Sequence, residues 1–213
     1  NGDDKLKADM ETLIDDLHDA KEYGSILNVT NVDFEAIYAR FDEIKDEANI
    51  YAELVFDDLL PFVQVAQAMV HKYDVVITNP PYMGSGNMDK RLLTYAKKQY
   101  PKTSSDLSTI MMEKSQNMAK SYGYISMINI PVWMYLSSYI QFRRTLLTNS
   151  TMINLLYFGR GVFGSDFGTT AFVFQNCYCK NYIGTYKKLF EKKVDVEPLS
   201  IKEEKFFAKD GIY

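Results

Sequence analysis

The chain has 213 residues, of which 46% are hydrophobic and 24% charged, with a formal net charge of −4. That balance belongs to a globular chain long enough to bury a sizeable core and excludes disordered and fibrous classes. Its longest apolar runs, such as Val75–Ile77 and Ala171–Phe174, are strand-sized and far short of the ~20 residues of a spanning helix, so no membrane partner is expected.

Charge is distributed unevenly along the chain. Residues 1–70 carry five Lys/Arg against seventeen Asp/Glu, residues 71–160 eleven against four, and the remainder eight against seven. A basic middle segment hints at a nucleic-acid-facing surface. Helices with solvated faces of either sign are the alternative. At the N-terminus no basic, apolar, small-residue leader precedes the acidic stretch, so nothing points to export.

In chain order, Leu6, Met10, Leu13, Ile14 and Leu17 recur at helical spacing, with Gly24 as a stop. The short run Ser25–Val29 is an edge-strand candidate. A second helix is expected over residues 33–46, where Phe34, Ile37, Tyr38 and Phe41 form the apolar stripe and Asp33 caps. A third is expected over residues 53–71, kinked or broken at Pro61. At Tyr73 the texture changes. Asp74–Thr78 is a β-branched run of the sort found in buried parallel strands, and it stops at Asn79-Pro80-Pro81. Helices are expected over residues 89–99 and 106–121, a strand over 124–130 opened by Gly123, a helix over 133–147, and strands over 152–158 and 170–175. The tail from Tyr182 reads as a further strand or two. This order implies an α/β protein with an open, mostly parallel sheet, a terminal antiparallel hairpin, and an acidic helical segment in front of it.

Cys177 and Cys179 sit two apart on what reads as a strand, where alternation puts both on one face. No disulfide between them is expected. The only histidines, His18 and His71, have no partner spacing for a metal, so none is expected. Reduced thiols point to a cytoplasmic setting.

The chemistry-bearing motif is Asn79-Pro80-Pro81-Tyr82, placed where open α/β sheets bind ligands, at a strand's carboxyl end. An exocyclic amine is a poor nucleophile because its lone pair is delocalised into the ring. A carboxamide oxygen on Asn79 and the Pro80 carbonyl could each accept one amine N–H and concentrate that lone pair. Consecutive prolines fix φ and remove competing donors, so the carbonyl is held rigidly. Preorganised acceptors of this kind act electrostatically, and Tyr82 offers a flat face on which an extruded base can stack. A plain Pro-Pro turn at a strand end is the bland alternative.

With its strand, the tetrapeptide resembles the hallmark of the amino-methyltransferase superfamily. Longer matches in Tyr82–Met88, Tyr100–Lys102, Ser105–Leu107, Tyr122–Ile128, Trp133–Ser138 and Thr169–Phe174 are similar to the large adenine methyltransferases of BREX phage-defence and fused restriction-modification systems, over roughly residues 20–180. That resemblance implies methyl transfer from S-adenosylmethionine to adenine in double-stranded DNA, with the adenine flipped out of the duplex and other subunits of a defence complex as further partners. Asn79, Pro80, Pro81 and Tyr82 would be catalytic, and Asn79 and Asp106 would face the donor. Tyr82 and an aromatic of the loop before the last strand pair, Phe163 or Phe167, would stack on the base; packing within that loop is the alternative for both phenylalanines. Lys90, Arg91, Lys97, Lys98 and Lys102 would meet backbone phosphates. For Arg143 and Arg144 an ordinary helix face is the stronger reading.

The resemblance also implies a Rossmann-like glycine-rich loop for the donor, which is not found upstream of Asn79. Gly84-Ser85-Gly86 follows the motif and reads as a flexible loop. The expectation is therefore a piece of a larger protein, weak in donor binding and turnover by itself. Residues 1–72 would form an acidic helical segment packing on the sheet, 73–180 the catalytic half of the methyltransferase domain, and 181–213 an extension toward a missing region. A methyltransferase acting on RNA guanine or protein glutamine, and a non-catalytic DNA-binding or docking module, are the rival readings.

Overall fold

The computed structural model describes residues 2–45, 55–164, 168–192 and 196–208. These divide into two compact units, residues 1–71 and 72–213.

In the first unit, α1 (Gly2–Leu17) buries Leu13 and Leu17, which its four-residue spacing places on one face. Asp33 caps α2 (Phe34–Lys45) by accepting from the Ala36 amide at 3.1 Å and also pairs with Lys5 at 2.8 Å. The α2 stripe of Phe34, Ile37 and Phe41 is buried as expected. A π-helical turn over Val55–Leu59 leads into α3 (Leu60–Val70), with Pro61 in its first turn, where a missing N–H costs little. Expected helix residues 46 and 53–54 lie outside the described residues. The Ser25–Val29 edge strand is not formed. Gly24–Ile26 makes a 3-10 turn instead, and the consecutive residues Ile26 and Leu27 are both buried, a pattern no half-exposed strand can give.

The second unit is an α/β sheet of order β1-β2-β4-β3-β5. Its strands are β1 (Tyr73–Thr78), β2 (Ala119–Asn129), β3 (Thr151–Gly159), β4 (Thr169–Gln175) and β5 (Thr185–Lys188). β1 pairs parallel with β2 and β3 with β5, while β4 runs antiparallel to both β2 and β3. Four strands therefore share one direction, and the returning arm of the β3–β4 hairpin inserts between β2 and β3.

One face of the sheet carries the core. Ile125 and Met127 of β2, Leu155 of β3, and Phe172 and Phe174 of β4 pack with Met112, Trp133, Phe142 and Leu146 from the connecting helices. Trp133 meets Phe172 edge-on with ring centroids 5.7 Å apart. On the other face Val75 and Ile77 are 51% and 74% exposed. The β-branched run of β1 is thus covered on one side only, by Val76 packing into the core, rather than buried on both.

Several boundaries differ from expectation for local reasons. Helix α5 (Leu107–Met118) ends early because β2 begins at Ala119, and a register shift between Tyr73 and Val75 absorbs the extra residues. Tyr122 takes a φ of 67° within that irregularity. Gly123 follows because a Cβ there would lie 2.9 Å from the Asp74 carbonyl oxygen. The single helix expected over 133–147 is three pieces: a helical turn at Val132–Tyr135, a 3-10 turn at Ser137–Tyr139, and α6 (Ile140–Asn149). The Arg143 guanidinium donates to the carbonyls of Trp133 and Leu136, both at 2.7 Å, satisfying groups that the break exposes. Among the described residues of the tail, β5 is the strand that forms, and a helix, α7 (Leu199–Phe207), follows it. Cys177 and Cys179 fall just past β4 rather than on it, with Sγ atoms 3.5 Å apart and no disulfide. No helix among the described residues is long and apolar enough to cross a membrane.

Candidate active site

The motif sits at the carboxyl end of β1. Thr78 pairs with Met127, so Asn79 and Pro80 leave the sheet beside the last residues of β2. Pro80 is buried and anchors the turn, whereas Asn79 and Pro81 are exposed and Tyr82 is 36% exposed. The Tyr82 hydroxyl donates to Asn79 Oδ1 at 3.1 Å. A carboxamide oxygen has two lone pairs, so this bond orients the amide and leaves one acceptor site. Partial burial pushes the Tyr82 phenol above its ordinary pKa, which keeps it a donor.

The loop that follows is ordered by pairing with a segment twenty or more residues away. Ser85 N donates to Ser105 O at 2.8 Å and Leu107 N to Met83 O at 2.9 Å, and Gly84 bridges Asp106. Gly84-Ser85-Gly86 is therefore a pinned turn, with Ser85–Asn87 in a 3-10 helix, rather than a flexible loop. Asp106, 7% exposed, caps α5: its Oδ1 accepts from Ser108 N at 2.9 Å and Ser108 Oγ at 2.6 Å. Its Oδ2 faces the Gly84 side, about 4.0 Å from where a Cβ on Gly84 would stand. The fold thus joins the tetrapeptide loop and Asp106 into one rim.

Beneath the rim, the Thr109 hydroxyl lies 2.7 Å from the Asp106 carbonyl and 3.3 Å from the Tyr139 hydroxyl. Burial raises the Tyr139 phenol pKa, so it stays protonated. Asn129, fully buried at the end of β2, is a strut the sequence reading missed. Its Nδ2 donates to Ser108 O at 3.2 Å, its Oδ1 accepts from Ile130 N at 2.7 Å, and its carbonyl accepts from Thr170 Oγ1 at 3.0 Å. One side chain so ties β2 to the start of α5 and one carbonyl to β4. An amide side chain between Ile128 and Ile130, at the end of a strand whose inward residues Ile125 and Met127 are apolar, was the available signal.

The remaining candidates are placed less centrally. Phe163 lies on the β3–β4 connection, 63% exposed with φ 61°, its ring edge-on to Phe158 at 6.2 Å. Phe167 lies outside the described residues. Helix α4 (Lys90–Gln99) starts at Asp89, whose Oδ1 accepts from the amides of Arg91 and Leu92. Its face inward is Leu92 and Ala96, which leaves Lys90, Arg91, Lys97 and Lys98 exposed; Lys102 is exposed and donates to Thr145 Oγ1 at 3.3 Å. Arg143 is committed to backbone carbonyls, and Arg144 is exposed.

A hollow of about 310 Å³ opens elsewhere on the same sheet edge, lined by residues following β2 and by the ends of β3 and the start of β4, among them Pro131, Tyr135, Leu136, Tyr157 and Arg160.

Comparison with known proteins places these features in a family. Residues 8–163 match the Eco57I restriction-modification methylase model. Over 183 residues the chain is 36% identical to the adenine-specific methyltransferase BrxX of Escherichia coli O9:H4 (strain HS), covering 83% of this chain and 15% of that protein. Over 170 residues it is 35% identical to the adenine-specific methyltransferase PglX of Lacticaseibacillus casei (strain Zhang), covering 78% and 13%. The chain thus spans about one seventh of the length of these relatives. A solved structure of the ATP-dependent Type ISP restriction-modification enzyme LlaBIII bound to DNA superposes at a TM-score of 0.48 and 17% identity, over 70% of this chain and 12% of that one. With nearly three quarters of its length matched, the chain belongs to the Eco57I restriction-modification methylase family.

Proposed function

We propose that this chain carries the target-base site of a DNA methyltransferase that modifies the exocyclic amine of adenine, in host modification and phage defence in the cytoplasm. The observation that carries the reading is the Asn79–Tyr82 pair: an amide oxygen oriented by a phenol, exposed at the carboxyl end of a strand, in a loop pinned to Asp106. Asn79 Oδ1 accepts one N–H of an extruded adenine and the Pro80 carbonyl the other. With both protons held by acceptors, the nitrogen lone pair is freed from the ring and directed at the methyl group. The Tyr82 ring stacks on the base, a contact of about 1–3 kcal/mol. Phe163, presented by a strained backbone on the neighbouring loop, is the second stacking residue.

The residues fit S-adenosylmethionine on one side. That donor is cationic, and the buried Asp106 carboxylate, with its second oxygen turned to the Gly84 rim, suits a positively charged or N–H-bearing group. Asp106 and Asn79 would hold it, and it supplies an electrophilic methyl when bound. The exposed cations of α4 and Lys102 neutralise phosphates and give salt-dependent, sequence-independent affinity for double-stranded DNA.

Labelled methyl transfer by the protein as the cell produces it, offered DNA, RNA and protein in parallel, tests the reading. Label in N6-methyladenine of DNA is expected. Incorporation only into RNA or protein would move the activity to the rival substrates.

A further inference from the structure

We propose that the hollow on the β2–β4–β3 edge binds a second unstacked nucleobase, the neighbour of the adenine held at Asn79, with its phosphate on Arg160. This rests on the target-base reading of Asn79 and adds a subsite to it.

Position comes first. Ile130 follows β2, Gly159 ends β3 and Gly168 precedes β4, so the hollow lies on the same sheet edge as Asn79. Two strand spacings separate it from β1, roughly 10 Å. Tetrapeptide residues are absent from its described lining, so it is a separate site. About 310 Å³ is at the lower end of ligand pockets, the size for one nucleoside and too small for a dinucleotide.

Its walls suit a flat ring. Pro131, Val132 and Leu136 are apolar, and Tyr135 and Tyr157 stand 6.3 Å apart at 32°, forming a tilted aromatic floor. Tyr157 is fixed from behind by Phe190, edge-on at 4.7 Å, and Tyr135, 50% exposed, lines the hollow beside it. Gly159 is needed for that backing: at φ 74° a Cβ would lie 2.6 Å from the Phe190 ring. Gly168 keeps the opening clear, since a Cβ there would contact Tyr157 Oη and Pro131. Arg160 is the one charged residue in the described lining. A cation in the wall disfavours the cationic methyl donor and favours a phosphate-bearing ligand, for which the guanidinium fork is suited. Stacking on such a floor is indifferent to base identity, so the subsite would hold the strand beside the target without reading its sequence.

Photo-crosslinking tests this with the full chain and single-stranded oligonucleotides alternating deoxyadenosine and 5-iododeoxyuridine, the adducts being mapped by mass spectrometry. Adducts on Tyr135 or Tyr157 are expected alongside adducts on Tyr82. Leu136→Trp, which fills the hollow from a half-exposed position, should cut the Tyr135 and Tyr157 adducts by about tenfold while Tyr82 adducts persist. Arg160→Gln should weaken the same adducts and flatten their salt dependence. Circular dichroism confirms that each variant is folded. Adducts confined to Tyr82, or hollow adducts indifferent to Leu136→Trp, would overturn the second subsite and leave the target-base reading standing. Failure of the target-base reading shows separately, as methyl transfer that survives loss of the Asn79 amide.

Discussion

Tyr82 donates its hydroxyl to Asn79 Oδ1 across 3.1 Å, so a residue expected to stack on a base also sets the direction of the Asn79 amide. The two functions separate by substitution. Tyr82→Phe keeps the ring and removes the donor. It is expected to lower kcat by about fivefold with little change in DNA affinity, because a hydrogen bond of ~1 kcal/mol no longer holds the amide. Tyr82→Ala should also weaken binding, by the ~1–3 kcal/mol of a base stack. Steady-state methylation kinetics and equilibrium binding distinguish the two; a Tyr82→Phe variant with the kcat of the parent would show that the hydroxyl has no part in catalysis.

Arg143 and the lysines of α4 are all cations, but Arg143 is held by backbone carbonyls whereas Lys97 and Lys98 are exposed. Arg143→Ala strips the donor from the Trp133 and Leu136 carbonyls and is expected to destabilise the chain by about 1–3 kcal/mol. The salt dependence of DNA binding should be untouched. Lys97→Ala and Lys98→Ala should leave thermal stability alone and each reduce the slope of log affinity against log salt by about 0.9 on duplex DNA. Thermal melts and salt titrations of the three variants check the contrast.

Gly123 sits at the irregular start of the β1–β2 pairing, and backbone oxygens of Tyr73, Asp74 and Lys120 would lie 2.9–3.1 Å from an added Cβ. Backbone cannot yield as a flexible side chain can. Gly123→Ala is expected to cost about 1–3 kcal/mol, lowering Tm by about 2–4 °C per kcal/mol, in a denaturation experiment. An unchanged Tm would mean the two strands are not in this register.

Lys114 lies buried on α5, and burial, helped by the nearby Lys72 charge, brings its pKa down to about 8. The folded value is below the unfolded one, so between about pH 8 and pH 10.5 the unfolded chain binds the extra proton. Stability contributed by this group therefore rises with pH across that window and is flat below it. Lys114→Met should abolish the rise and raise Tm at neutral pH. A melting profile of the variant parallel to that of the parent from pH 8 to pH 10.5 would assign the dependence to another group.

The parts of the fold legible in the sequence are those set by neighbours in the chain. Asp33, Asp89 and Asp106 announce helix starts because a cap bonds two or three residues ahead. The β-branched run before Asn79 marks a strand, and the double proline fixes where it ends. What could not be read depends on partners far away. Asn129 is a strut only because Ser108 and Thr170 come to it. The helix expected from Trp133 breaks because Arg143 can feed the exposed carbonyls. The Gly84 turn is rigid because Ser105 and Asp106 close it. The hollow, too, is built from three strand ends, each ordinary in its own segment.

The central claim is that the Asn79 oxygen draws an amine proton out of the plane of an extruded adenine. Its most direct test is labelled methyl transfer to DNA by Asn79→Ala in the protein as the cell produces it, with DNA affinity measured alongside. Loss of incorporation by about a hundredfold or more at nearly unchanged affinity is the expected result, the scale for removing one preorganised partner of a developing charge. Methylation at the parent rate by Asn79→Ala would contradict it.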